Sequence, residues 1–200
     1  MKKFKKEDKE GKEKGKAVAK AVVSEIEKGD TAGITQAIAS LLKFVRWDSN
    51  PTDEVFEKQW NLLDELVDEP GWLEAIGKYV VYGGEHLVTV VSVLGNFAKT
   101  FFPSRPLQIS EKRLGAMVQN NFIPKLLEVI SQVLKGTKLN EKEEVELAKT
   151  TLLCLWSMAS IPEGKSALSN GVPVNLFNLF IYLFIITSLI DSNEENFKCD

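Results

Sequence analysis

Apolar residues return at helical spacing along most of the chain, and the breaks between runs carry the Gly, Pro, Asn and Asp that stop and start helices. Residues 17–28 are rich in Ala and Val and end at Gly29, and residues 31–47 set Ile34, Ile38, Leu41, Leu42 and Val45 on one face. Asn50 as N-cap, with Pro51 in the first turn and Asp53 and Glu54 beside the positive helix end, predicts a third helix. That helix carries Phe56, Trp60, Leu63, Leu66 and Val67 on one side and acidic residues on the other. Residues 87–102 read as a largely buried helix ended by the Pro-Ser-Arg-Pro loop at 103–106, and Ser110 caps a short helix over 111–120. Leu126, Leu127, Ile130, Val133 and Leu134 share a face of the next helix, and Asn140 with Glu143 forms a capping box for a helix reaching residue 160. The pattern is that of an all-α chain.

The two ends depart from this amphipathic rhythm. Residues 1–16 mix charges with Gly11 and Gly15 and hold almost no apolar side chain, which predicts a disordered, charged N-terminal tail. The Gly11-Lys-Glu-Lys-Gly15-Lys16 stretch is one residue short of a phosphate loop, and Ala17 stands where the hydroxyl residue would be. Residues 172–190 are nearly continuous hydrocarbon, close to the length of about 20 that spans a bilayer. They read either as the last, uncapped helix of a stack or as a membrane tail anchor, with residues 191–200 as a polar C-terminal tail.

An internal echo organises the middle. Residues 121–130 (Asn-Phe-Ile-Pro-Lys-Leu-Leu-Glu-Val-Ile) and 171–180 (Gly-Val-Pro-Val-Asn-Leu-Phe-Asn-Leu-Phe) open the same kind of helix, separated by a helical hairpin. A second echo links residues 70–76 (Pro-Gly-Trp-Leu-Glu-Ala-Ile) with residues 162–168 (Pro-Glu-Gly-Lys-Ser-Ala-Leu). A helical unit that repeats buries its stripe only against its neighbours, so stacked helices follow. The openings resemble the Gly-Ala-Ile-Pro-x-Leu-Val-x-Leu-Leu helix start of an armadillo repeat. Residues 148–159, ending Leu-Trp-Ser-Met-Ala, resemble the repeat helix that closes on Leu-x-Asn-Leu-Ala, and residues 162–171 resemble the short first helix with its glycine turn. The resemblance, to the armadillo and HEAT superfamily, implies a short right-handed α-solenoid over residues 17–190. By the same resemblance Asn96 and Ser157 occupy the position that faces the concave groove, with Trp156 beside them as a groove residue.

Composition narrows the function classes. With 44% hydrophobic and 26% charged residues the chain has the balance of a folded domain. Residues 1–16 hold eight Lys against four Asp/Glu, and with −3 overall the other 184 residues carry −7, which argues against nucleic acid. His86 is the one histidine and sits at a helix start, where a solvated or capping role outweighs a catalytic one. No Cys, His and carboxylate cluster has metal-ligand spacing, no cofactor motif is present, and Cys154 reads as a small core residue. The absence of a disulfide framework points to a reducing, cytoplasmic compartment. Trp60 and Trp156 fall within apolar stripes and read as core, whereas Trp47 and Trp72 lie at helix edges, exposed as anchors or packed over turns. The expected function is a non-enzymatic scaffold or adaptor with a protein partner. Membrane contact or self-association would act through residues 172–190.

Overall fold

The computed structural model describes residues 2–48, 51–100, 102, 105–135 and 141–171. Among these residues every regular element is an α-helix: α1 (Lys2–Lys28), α2 (Thr31–Val45), α3 (Asp53–Leu66), α4 (Trp72–Gly77), α5 (Leu87–Ala98), α6 (Glu111–Gln119), α7 (Phe122–Leu134), α8 (Glu141–Met158) and α9 (Pro162–Gly171). The apolar run 172–190, the polar tail 191–200 and the capping residue Asn140 lie outside the described residues.

Local chemistry sets the helix starts. The side chains of Asp30, Thr52 and Ser110 accept from the backbone N–H three residues on, at Gly33, Val55 and Arg113, so each satisfies a donor that the first turn leaves open. For α3 this moves the cap from Asn50 to Thr52: its hydroxyl lies within reach of Val55, and Pro51 stands before the helix rather than inside it. Asn121 enters α7 with φ 57°, a left-handed conformation that Asn tolerates better than most residues. That is the position where the resembling motif carries Gly.

Helices three apart in the chain lie side by side. α2 packs on α5 and α5 on α8; α3 packs on α6 and α6 on α9; α1 packs on α4. Lys125 of α7 continues the last row by donating from Nζ to Gly77 O of α4 at 2.8 Å. α5 is buried through Leu87, Val90, Val91, Val93, Leu94, Phe97 and Ala98, which suits a helix covered by α2 on one side and α8 on the other. Gly95 permits α8 to approach α5 closely, because a Cβ there would stand 2.5 Å from Thr150 Cγ2. The second echo does not survive as equivalence: α4, which carries residues 72–76, packs on α1, whereas α9 packs on α6 and α7. The two motifs share helix-start chemistry, not a place in the packing.

The N-terminal segment differs from expectation. Residues 2–16 continue α1 as helix, in place of a disordered tail. Their buried stripe is made of small residues. A Cβ on Gly11 would lie 3.0 Å from Leu62 Cδ2, and one on Gly15 would lie 2.9 Å from Phe44 Cζ, while Ala19 and Val22 continue the contact into the core. Apolar content therefore underestimates what this face buries. Lys12 and Lys16 flank the glycines and pair with Glu65 at 2.6 Å and Glu69 at 3.7 Å.

Candidate interaction surface

The row α2, α5, α8 positions all three residues assigned to a groove. Ser157, near the end of α8, is 4% exposed, and its hydroxyl lies 3.2 Å from Thr100 Oγ1 just beyond α5. It therefore does not face a groove. The bond between two hydroxyls locks one helix of the row to the next. Asn96 holds the same place near the end of α5, and its amide donates to Ser92 O one turn back at 2.9 Å. Its backbone carbonyl accepts from Trp47 Nε1, just beyond α2, at 2.9 Å. The position thus repeats as a lock between neighbouring helices, α2 to α5 and α5 to α8.

Trp156 is the one of the three that reaches outward, at 51% exposure. Leu153 and Val145 are also exposed on α8, and positions 145, 153 and 156 fall within one side of the helix. The reading of Trp156 as core is reversed, and of the two readings of the helix-edge tryptophans the packed one holds. Trp47 and Trp72 are buried, and Trp72 donates from Nε1 to Leu66 O, at the end of α3, at 2.9 Å. The carbonyls of a helix's last turn lack intrahelical partners, so an indole arriving at a helix end buries its ring and satisfies both groups together. Trp60 lies between these extremes, half-buried.

A second constellation escaped the sequence reading. Trp47, Phe56, Trp60 and Phe102 form one aromatic cluster, with Trp47 and Phe102 edge-on at 4.7 Å and Phe56 and Trp60 stacked at 5.6 Å. Two arginines cover it: Arg105 Cζ stands 4.2 Å from the Phe56 centroid and Arg113 Cζ 3.9 Å from that of Trp60. Each has a carboxylate from α3, Asp53 Oδ1 at 2.6 Å from Arg105 Nη2 and Asp64 Oδ1 at 2.8 Å from Arg113 Nε. Arg113 is 1% exposed; Nη1 donates to Phe97 O at 3.0 Å, while Nη2 has no partner among the described residues. The Nε contact with Asp64 is close enough for an ion pair, although its N–H does not point squarely at the oxygen. Burial pulls the guanidinium down to about 10, against the attraction of Asp64. Ser110 completes the junction by donating to Asp64 Oδ1 at 2.6 Å while capping α6. Asp53, Phe56, Trp60 and Asp64 recur at positions i, i+3, i+7 and i+11, one stripe of α3 that Asp68 follows in the turn beyond, so these carboxylates lie beside the aromatics rather than on the opposite side, and that spacing was the available signal. Lys112 extends it to Asp68 at 2.8 Å.

Cys154 and the one histidine, His86, are both buried. Cys154 is buried, which pushes its thiol up to about 12 and keeps it protonated at neutral pH. His86 precedes α5 without a side-chain capping bond and packs edge-on against Tyr79 at 5.3 Å. It is buried rather than solvated. Among the described residues no group of His, Cys, Asp and Glu is placed to hold a metal ion, and no helix is long and apolar enough to cross a membrane. A cleft of about 630 Å³ lies between Val80, Val81 and Tyr82 and the α7 residues Pro124, Lys125 and Glu128. The Lys125 ammonium on its wall is already committed to Gly77 O.

Comparison with protein-family models, curated proteins and solved structures finds no match to this chain.

Proposed function

We propose that the chain is a non-enzymatic protein-interaction scaffold or adaptor, built as a short right-handed α-solenoid of armadillo type. The side-by-side packing of helices three apart supports the architecture, since a three-helix repeat stacks each helix on its counterpart in the next unit. The observation that carries the function is the outward row of Val145, Leu153 and Trp156 on α8. An exposed tryptophan beside an exposed leucine is the kind of anchor from which interfaces draw most of their binding energy. Ser157 and Asn96 act behind this row as locks, Ser157 between α5 and α8 and Asn96 between α2 and α5. The partner is a protein with a pocket or groove for an indole, not nucleic acid.

The test is proximity labelling with the full chain and with its L153S/W156S variant. Both substituted side chains are exposed, so folding is retained and is checked by far-UV circular dichroism. The proposal expects a defined set of proteins labelled by the wild type and lost in the variant. An identical set for both, with the variant folded, overturns the assignment of this face.

A further inference from the structure

The first half of α1 meets the body differently from the second. Beyond residue 17 the helix is anchored by Ala19 and Val22, both fully buried. Over residues 10–16 the contact includes Gly11 on Leu62, Gly15 on Phe44 and two ion pairs whose lysines are 50% and 51% exposed. A cavity of about 20 Å³ remains between these surfaces, bordered by Phe44, Leu62, Glu65, Leu66 and Glu69. Exposed ion pairs contribute little and weaken with salt, and glycine within a helix disfavours the helical state. The segment is therefore held by a weak, salt-sensitive contact to a seat of defined shape: an apolar floor of Phe44 and Leu62 with Glu65 and Glu69 on its rim.

We propose that residues before Ala17 form a salt-releasable strap, and that the seat it leaves accepts the same segment of a second copy. Two features select that occupant. The floor favours a helix that presents glycine, because a Cβ at either position presses on the tip of the Leu62 or Phe44 side chain. The rim carboxylates require a cation directly after each glycine, which Gly11-Lys12 and Gly15-Lys16 supply. The remaining charge agrees in sign: eight Lys against four Asp/Glu in residues 1–16, facing a helix and turn, residues 53–69, with seven Asp/Glu and one Lys. Exchange is reciprocal, each copy giving a strap and receiving one, so the product is a closed dimer. In the wild type closure within one chain prevails, since a tethered strap is at high effective concentration.

The experiment therefore uses two full-length variants that cannot close on themselves, K12E/K16E and E65K/E69K, in which strap and seat carry the same sign. Each alone is expected to run as a monomer in size-exclusion chromatography with light scattering. Their equimolar mixture is expected to form a dimer that dissociates in high salt, because each strap then meets the complementary seat. A control mixture of K14E/K43E with E65K/E69K places the added carboxylates on exposed lysines away from the seat and is expected to stay monomeric. Two outcomes overturn the proposal: a cross-mixture that remains monomeric with both variants folded, or a control mixture that dimerises equally. Amide exchange of wild-type residues 10–16 gives an independent reading. Protection that falls with salt ahead of the core supports the strap, and protection equal to the core at all salt concentrations contradicts it.

Discussion

Replacing Asp64 by Asn should cost more stability than replacing Arg113 by Met, although Arg113 is the more buried partner. The guanidinium's descent to about 10 means that the folded chain disfavours its charge by roughly 3 kcal/mol even with Asp64 present. Asp64→Asn keeps the shape and the acceptor for Ser110 Oγ but removes the carboxylate that offsets this burial. Breaking a buried pair on one side costs ~3–5 kcal/mol, and the 29% exposure of Asp64 places this case at the lower end, about 3 kcal/mol. Arg113→Met removes the disfavoured charge and keeps an apolar stem on Trp60. It loses a desolvated cation–π contact of about 2 kcal/mol and a donor to Phe97 O worth roughly 1–3 kcal/mol. The net cost is about 1 kcal/mol. The double variant should match R113M, since the amide at position 64 then has no buried cation left to offset. Urea unfolding followed by far-UV circular dichroism, with midpoints compared at constant slope, reads all four corners of the cycle. The reasoning is refuted if R113M is the more destabilised, or if the two effects add.

Three further outcomes follow from the packing. Gly95→Ala, which in an open helix would stabilise, should destabilise by ~1–3 kcal/mol because its methyl meets Thr150 Cγ2; thermal melts should show Thr150→Ser, which removes that methyl, restoring most of the loss in the double variant. Trp47→Phe keeps the aromatic contacts but leaves Asn96 O without its indole donor, and should cost about 1 kcal/mol in the same urea assay; a change near zero would mean that the lock between α2 and α5 contributes nothing. The folded chain keeps the Cys154 thiol protonated up to about 12, whereas the unfolded chain releases the proton near 9.0, so stability is lost as pH rises between these values. By about pH 10 the loss should be ~1 kcal/mol, absent from Cys154→Ala, and in a Cys199→Ser background thiol labelling should proceed only at the rate of global unfolding.

Helix positions were legible wherever periodicity and caps agreed. Ser110 marks the start of α6, and the break at Gly29 separates α1 from α2. What failed shares a physical cause: burial was judged from the apolar character of a residue rather than from what its neighbours could offer. Gly11 and Gly15 look like solvated tail, yet their lack of a side chain lets Phe44 and Leu62 approach. Trp47 and Trp72 at helix edges fit either exposure or packing by sequence, and the last-turn carbonyls of Asn96 and Leu66 give their indoles the acceptor that burial requires. Nothing in the apolar pattern marks Arg113 for burial, yet Trp60 and Asp64 line a slot for it. In the other direction, Trp156 shares the periodicity of the α8 core residues but lies on the side that α5 and α7 do not cover. Ser157 took its groove role from a motif, and only the arrival of Thr100 from 57 residues away decides that it is a lock.

The packing of α5 on α8 in this register is the premise for the rows, the locks and the outward face of Trp156. It is tested most directly by replacing Thr100 and Ser157, whose hydroxyl oxygens are 3.2 Å apart, with cysteine in a Cys199→Ser background. Side chains that close should form a disulfide on mild oxidation, because the geometry is within reach of an S–S bond. Mass spectrometry of the non-reduced digest should find the peptides containing positions 100 and 157 linked, with the melting temperature raised relative to the reduced form. A folded protein with both thiols free after oxidation, or with either linked to Cys154 instead, would contradict the packing of α5 on α8.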